Sequence, residues 1–245
     1  MIKVTAIPIL QDNYAWLLRD EESGCRAIVD PAEVDPVVAA IDAAIAAEGG
    51  GLDLILLTHH HGDHIAGTDA IRAKYGAPVV GAKADAHRLP KLDREVWAGS
   101  EVDLGASTAR VIETPGHTSG HISFFFPDGA VLLCGDTLFS LGCGRLLEGT
   151  AQEMFASLTK LAALPPETLV CCGHEYTESN AKFALHADPD NAELRAYAAR
   201  VAELRAMGLA TLPSVLADEL ACNPFLRAGD TATLADLRGR KDVYR

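Results

Sequence analysis

Apolar and polar residues alternate at the start of the chain, and the stretches 2–9, 14–19 and 25–30 read as strands. Turn chemistry separates them at Gln11-Asp12-Asn13 and Glu21-Glu22-Ser23-Gly24. The Ala-rich stretch 36–48 has helical spacing and is stopped by Gly49-Gly50-Gly51. The apolar run 52–57 breaks off abruptly into polar residues, as a buried strand does at a sheet's rim. Further strands are predicted at 79–81, 102–104, 109–113, 121–126, 130–134 and 168–172, and helices at 68–75 and 154–164, the latter closed by Pro165-Pro166. Beyond about residue 175 the strand pattern stops. Segments 178–187, 190–207, 214–221 and 231–239 read as helices, which predicts a boundary between a mixed region, 1–174, and a small helical domain, 175–245.

Composition narrows the function classes. The 245 residues are 49% hydrophobic, and 21 basic against 34 acidic side chains leave a net charge of −13. Such a surface disfavours nucleic acid and anionic membranes, and no apolar run approaches the length of a membrane span. The six cysteines form no C-x-x-C pair and the N-terminus lacks a signal-peptide pattern, so free thiols in a reducing cytoplasm are expected.

The chemistry concentrates where strands end. Thr58-His59-His60-His61-Gly62-Asp63-His64 follows the run 52–57 directly. Its mixed imidazole and carboxylate donors suit zinc, iron or manganese. Thr114 to His121, with His117, follows the strand 109–113; Cys134-Gly135-Asp136-Thr137 closes 130–134; and Cys172-Gly173-His174-Glu175 closes 168–172. Several strand ends meeting on one rim is the geometry that open α/β layers offer to ligands. His59, His61, Asp63, His64, His117, Asp136 and His174 outnumber the four ligands of one tetrahedral ion, and two ions sharing a carboxylate account for the excess.

These residues resemble the metallo-β-lactamase superfamily, marked by a T-H-x-H-x-D-H loop followed by His, Asp and His. Within it the chain resembles the glyoxalase II or hydroxyacylglutathione hydrolase family over nearly its full length. The resemblance runs through Gln11-Asp12-Asn13-Tyr14, Thr114 to His121, Gly135-Asp136-Thr137-Leu138-Phe139, Gly142-Cys143-Gly144-Arg145, Cys172-Gly173-His174-Glu175-Tyr176-Thr177 and Asn223-Pro224-Phe225-Leu226-Arg227. It implies an α/β sandwich of two mixed sheets flanked by helices, with a small α-helical C-terminal domain. It also implies two divalent ions per chain, zinc first, with iron or manganese as alternatives. His59, His61 and His117 would hold one ion and Asp63, His64 and His174 the other, with Asp136 bridging; Asp63 and Asp136 would thus serve catalysis through the ions. His60 occupies the variable position of the loop and His121 is expected to give structural support.

The implied reaction is thioester hydrolysis of S-(2-hydroxyacyl)glutathione, typically S-D-lactoylglutathione, to D-lactate and glutathione in methylglyoxal detoxification. A metal pair brings the pKa of a bridging water near neutrality, so no Ser or Cys nucleophile is needed. Arg145, Tyr176, Arg238 and Lys241 are the implied glutathione contacts, and residues 226–245 carry a local excess of basic over acidic side chains. Leu147 departs from the family, many of whose members have Tyr there. A soluble cytoplasmic monomer acting on a small molecule is expected. The alternatives are a mononuclear-iron persulfide dioxygenase of the same superfamily and a non-catalytic metal-binding module. The former lacks the His-Glu-Tyr ending and the R-x-x-K tail.

Overall fold

The computed structural model describes residues 1–244. Its first sheet runs in sequence order: β1 (Ile2–Ile9), β2 (Asn13–Asp20), β3 (Arg26–Val29), β4 (Leu54–Leu56), β5 (Val79–Ala82) and β6 (Arg94–Val96). The first three strands pair antiparallel and the last four parallel. Parallel neighbours need crossovers, which are α1 (Val34–Glu48) between β3 and β4, then the short α2 (Gly62–Ile65) and α3 (Thr68–Tyr75) between β4 and β5.

Side-chain alternation sorts this sheet's two faces. Trp16, Leu18, Val29 and Leu56 join the central core, whereas Ala15, Leu17, Ile28 and Ile55 pack with Val37 and Ile41 of α1 and Ile71 of α3. Both faces are covered, which explains near-continuous burial along β2 and β3.

The second sheet faces the first across that core. It contains β7 (Glu101–Leu104), β8 (Ser107–Glu113), β9 (Ile122–Phe126) and β10 (Val131–Gly135), consecutive antiparallel neighbours. A small hairpin of β11 (Leu138–Phe139) and β12 (Gly142–Cys143) follows, then α4 (Ala151–Ala162), which crosses to β13 (Leu169–Cys172), parallel to β10. Phe124, Phe126, Val131 and Leu133 meet the first sheet's inner face, and the Trp16 indole donates to the Cys172 carbonyl at 2.9 Å to tie the layers.

The remainder is largely helical: α5 (Thr177–Ala187), α6 (Ala192–Ala206), α7 (Leu216–Cys222) and α8 (Thr231–Val243). The expectation that strands end near residue 175 needs one correction. Ser214–Val215, read as the start of a helix, forms β14, antiparallel to β13 at the sheet's edge. Two residues are too few to show a period, and only the partner strand makes them extended. The strand β6 and the hairpin β11–β12 were missed for the same reason. Helix α4 starts at Ala151 and not at 154, because Thr150 and Glu153 form a reciprocal capping box.

Candidate metal centre and substrate pocket

Each predicted ligand sits just past a strand end. His59 to His64 follow β4, His117 follows β8, Asp136 follows β10 and His174 follows β13. The chain brings all of them together. One donor atom from each of His59, His61 and His117 lies within 4.8 Å of the others, and the same holds for Asp63, His64 and His174. Asp136 stands between the groups. Its carboxylate is 3.4 Å from His117 Nε2, 3.3 Å from His64 Nε2 and 3.3 Å from His174 Nε2.

The donor set fits divalent cations. His61 Nδ1 faces His59 Nε2 at 3.1 Å and His117 Nε2 at 3.0 Å, and one ring nitrogen cannot share a proton with both. A tetrahedral ion with bonds of about 2.0–2.1 Å separates its donors by roughly 3.3 Å, close to these spacings. His64 Nε2 and Asp136 Oδ1 are buried without a hydrogen-bond partner, an arrangement that a cation between them relieves.

The far side of most ligand rings is also fixed. His59 Nδ1 meets the Thr58 hydroxyl at 3.0 Å, His64 Nδ1 meets Asp30 at 3.0 Å and His174 Nδ1 meets Asp12 at 2.9 Å. His117 Nδ1 donates to the Arg145 carbonyl at 2.9 Å. Partners of this kind set the tautomer and aim the opposite nitrogen at the metal. Asp30 also accepts from the Thr58 amide at 2.9 Å and hydroxyl at 2.6 Å, so one buried carboxylate organises the whole loop. These supports were missed in the sequence. Their one signal was position, a polar residue at a buried strand's end (Asp30, Thr58) or in the opening turn (Asp12).

His121 gives the structural support expected of it. Its Nε2 accepts from the Asp136 amide at 3.1 Å while Nδ1 faces the Thr114 and Thr137 hydroxyls. His60 turns away from the ligand groups, to Asp85 at 3.0 Å and Glu148 at 3.3 Å. The motif glycines are steric requirements. At Gly135, φ is +46° and a Cβ would strike Thr58 and His121; at Gly173 it would strike Asp136 and His64.

Electrostatics match the geometry. Burial, helped by neighbouring His64 and His121, holds His59 well below the usual imidazole range, and burial takes His121 down to about 3. Burial also opposes charge on His64 and Asp136. Their mutual attraction, with Asp30 beside His64 and His174 beside Asp136, overrides it, so His64 is held well above its ordinary value and Asp136 well below.

The centre opens into a cavity of about 470 Å³ lined by His117, Asp136, Phe139, Arg145, Tyr176 and Lys241, among others. Tyr176 stacks on His174, ring centroids 4.5 Å apart. Among the described residues the Arg145 guanidinium has no hydrogen-bond partner, and it is exposed at the rim. Lys241 spends one donor on the Ser179 carbonyl at 3.0 Å; burial, then the charges of Arg238 and Arg145, lower its pKa to about 8. Arg238 reaches the same cavity but is largely committed, bonding Asp242 at 2.9–3.0 Å and the Cys143 carbonyl at 2.7 Å. Leu147 is exposed and outside the lining. All six cysteines are free.

The sequence matches the metallo-beta-lactamase superfamily over residues 10–174 and the hydroxyacylglutathione hydrolase C-terminus over 175–244. It is 55% identical to a hydroxyacylglutathione hydrolase of Acidiphilium cryptum, covering 98% of this chain and 96% of that one. It is 48% identical to a hydroxyacylglutathione hydrolase of Methylococcus capsulatus over the full length of both. In fold it is similar to the crystal structure of ETHE1 from Myxococcus xanthus, with TM-score 0.73 and 24% identity over 100% of this chain and 92% of that one. Strand-end ligands, basic pocket and helical tail thus have one explanation: the chain belongs to the metallo-beta-lactamase superfamily and, within it, to the hydroxyacylglutathione hydrolases.

Proposed function

We propose that the chain hydrolyses S-(2-hydroxyacyl)glutathione, S-D-lactoylglutathione foremost, to the 2-hydroxy acid and glutathione, with two zinc ions per chain. The observation that carries this reading is the shared cavity. The ligands His117 and Asp136 form one wall, and the cations Arg145 and Lys241 line the same space. Glutathione brings two carboxylates, and free cations on an acidic protein are where they would dock. The volume lies within the roughly 300–1,000 Å³ typical of small-molecule sites.

His59, His61 and His117 would hold one ion, Asp63, His64 and His174 the other, and Asp136 would join them. When bound, the ions supply an activated water near neutral pH and polarise the thioester carbonyl. The protein's own part is placement. Arg145 and Lys241 take the glutathione carboxylates, Arg238 adds positive charge to their wall, and Tyr176 lies against the substrate, keeping the thioester over the His117–Asp136 edge. The leaving thiolate, whose conjugate acid has a pKa near ~8.5, departs without a strong general acid, and none is assigned.

The proposed division of labour is metal chemistry in 1–174 and substrate binding in 175–245, with β14 as the tie between them. Free, mostly buried thiols fit a reducing cytoplasm, and every proposed site residue comes from one chain, so a monomer suffices. The test is release of thiol from S-D-lactoylglutathione, followed with a thiol reagent. Equal or faster turnover of a glutathione persulfide, or activity undiminished at one metal per chain, would overturn the assignment in favour of the mononuclear dioxygenase.

A further inference from the structure

Segment 136–145 begins at one proposed ligand and ends at a proposed substrate contact. Asp136 precedes the hairpin β11–β12 and Arg145 follows it, and the Arg145 carbonyl also orients His117. Phe139, on the hairpin, packs edge-on to His174 and Tyr176, with ring centroids 5.9 and 5.3 Å apart. A shift of the hairpin tip therefore moves the Asp136 carboxylate, the His117 ring and the Arg145 cation together.

The tip does not hold itself. Leu141 is buried with φ +57°, a left-handed conformation that is strained for a non-glycine residue and persists only where its surroundings impose it. The helices impose it. The Leu141 amide donates to Glu219 at 2.7 Å, and Asn223 Nδ2 donates to the Phe139 carbonyl at 3.1 Å and the Gly142 carbonyl at 3.0 Å. Asn223 also reaches Glu219 at 3.1 Å, which locks the two side chains to each other. Asn180 donates to the Ser140 carbonyl at 3.0 Å and the Tyr197 hydroxyl meets that of Ser140 at 2.9 Å. Glu219 and Asn223 are fully buried and lie outside the cavity lining. A carboxylate placed so deep, with one oxygen lacking a partner, is costly to bury and needs a reason.

We propose that Glu219 and Asn223 are positioning residues for the hydrolase. Acting through the hairpin tip, they set the Arg145 side chain for substrate and the Arg145 carbonyl for His117, so one helix end governs both substrate and metal affinity while touching neither. The substrate half of this proposal rests on the function proposed above. The metal half does not.

The test compares Glu219→Ala and Asn223→Asp with Glu219→Gln, which keeps an acceptor for the Leu141 amide, and with Val37→Ala, a core truncation in α1, in a cluster separate from the one that holds Leu141. In Asn223→Asp an acceptor replaces the donor facing two carbonyls at unchanged shape. Zinc affinity is measured by chelator competition on apo-protein, and KM and kcat by thiol release. Glu219→Ala and Asn223→Asp should raise KM about 10-fold and weaken zinc binding about 10-fold, with cooperative unfolding kept. Glu219→Gln should restore both, and Val37→Ala should move neither. Tyr197→Phe, which removes one hydroxyl, should shift both a few-fold in the same direction and covers the case in which the harsher variants do not fold. Unchanged zinc affinity and KM in folded variants, or equal shifts in Val37→Ala, would overturn the proposal. If wild-type protein releases no thiol, the proposed substrate falls while the zinc titration still decides whether the hairpin is held for the metal.

Discussion

The two ligand groups are made of different material. His59, His61 and His117 are all imidazoles, backed by the Thr58 hydroxyl and the Arg145 carbonyl. Asp63, His64 and His174 include a carboxylate, and both histidines are backed by carboxylates, Asp30 and Asp12. The second group concentrates negative charge, which attracts any divalent cation more strongly and admits harder ions such as manganese. The first, all imidazole, suits zinc. Two positions only a few ångströms apart can thus differ in tightness and selectivity through the residues behind the ligands.

Asp136 is the residue the groups share, so its loss should erase the comparison altogether. Asp136→Ala should cost both ions and reduce kcat on the order of 10³-fold, since several kcal/mol of charge stabilisation go with them. Elemental analysis and steady-state rates check this, and two tightly held metals in the variant would contradict the bridge.

Asp12→Ala should separate the groups. It frees the His174 ring and nothing in the first group, so one ion of two should weaken about 10-fold, toward the low end for such supports because Asp12 is 40% exposed. Stepwise chelation monitored by metal content should show one altered step. Equal weakening of both steps would mean that the groups act as a unit.

The pocket mouth provides a third contrast, because its cations, the proposed substrate contacts, belong to neither ligand group. Lys241→Ala should raise KM by roughly 10-fold with kcat and metal content nearly unchanged, the loss expected for one charge-assisted bond to a partly solvated carboxylate. A collapse of kcat would place Lys241 in the chemistry instead.

The smallest effect is that of pH on the same side chain. With its pKa lowered to about 8, Lys241 is an ammonium below that value and neutral above, so kcat/KM should fall a few-fold as pH rises through about 8. Stability should run the other way. Between about 8 and the ordinary 10.5 the unfolded chain binds a proton that the folded chain does not, so the lysine's contribution to stability rises with pH across that window. Lys241→Arg, charged throughout, should remove the kinetic inflection, and its persistence would assign the titration elsewhere.

How much of this was legible in the sequence depended on range. Candidate ligands such as His59 and His174 are readable because an apolar strand pattern breaks directly into metal-competent residues, a local signal. Asp12 and Asp30 offered position alone, since an Asp in a turn or at a strand end is ordinary until the fold brings a histidine nitrogen to about hydrogen-bond distance. The R-x-x-K resemblance read Arg238 and Lys241 as equivalent contacts. The fold distinguishes them, because Asp242, one helical turn on, and the Cys143 carbonyl, 95 residues away, take up most of the Arg238 guanidinium. Strand β14 was invisible because its extended form is dictated by β13.

That edge strand also bears on the order of synthesis. Until Ser214–Val215 emerge, β13 is itself an unpaired sheet edge, open to pairing with a neighbouring nascent chain. His174, the last of the candidate ligands, is followed by Asn180 and Tyr197 before β14, Glu219 and Asn223, so during synthesis the hairpin tip meets its Ser140 partners first and its Leu141 and Gly142 partners last.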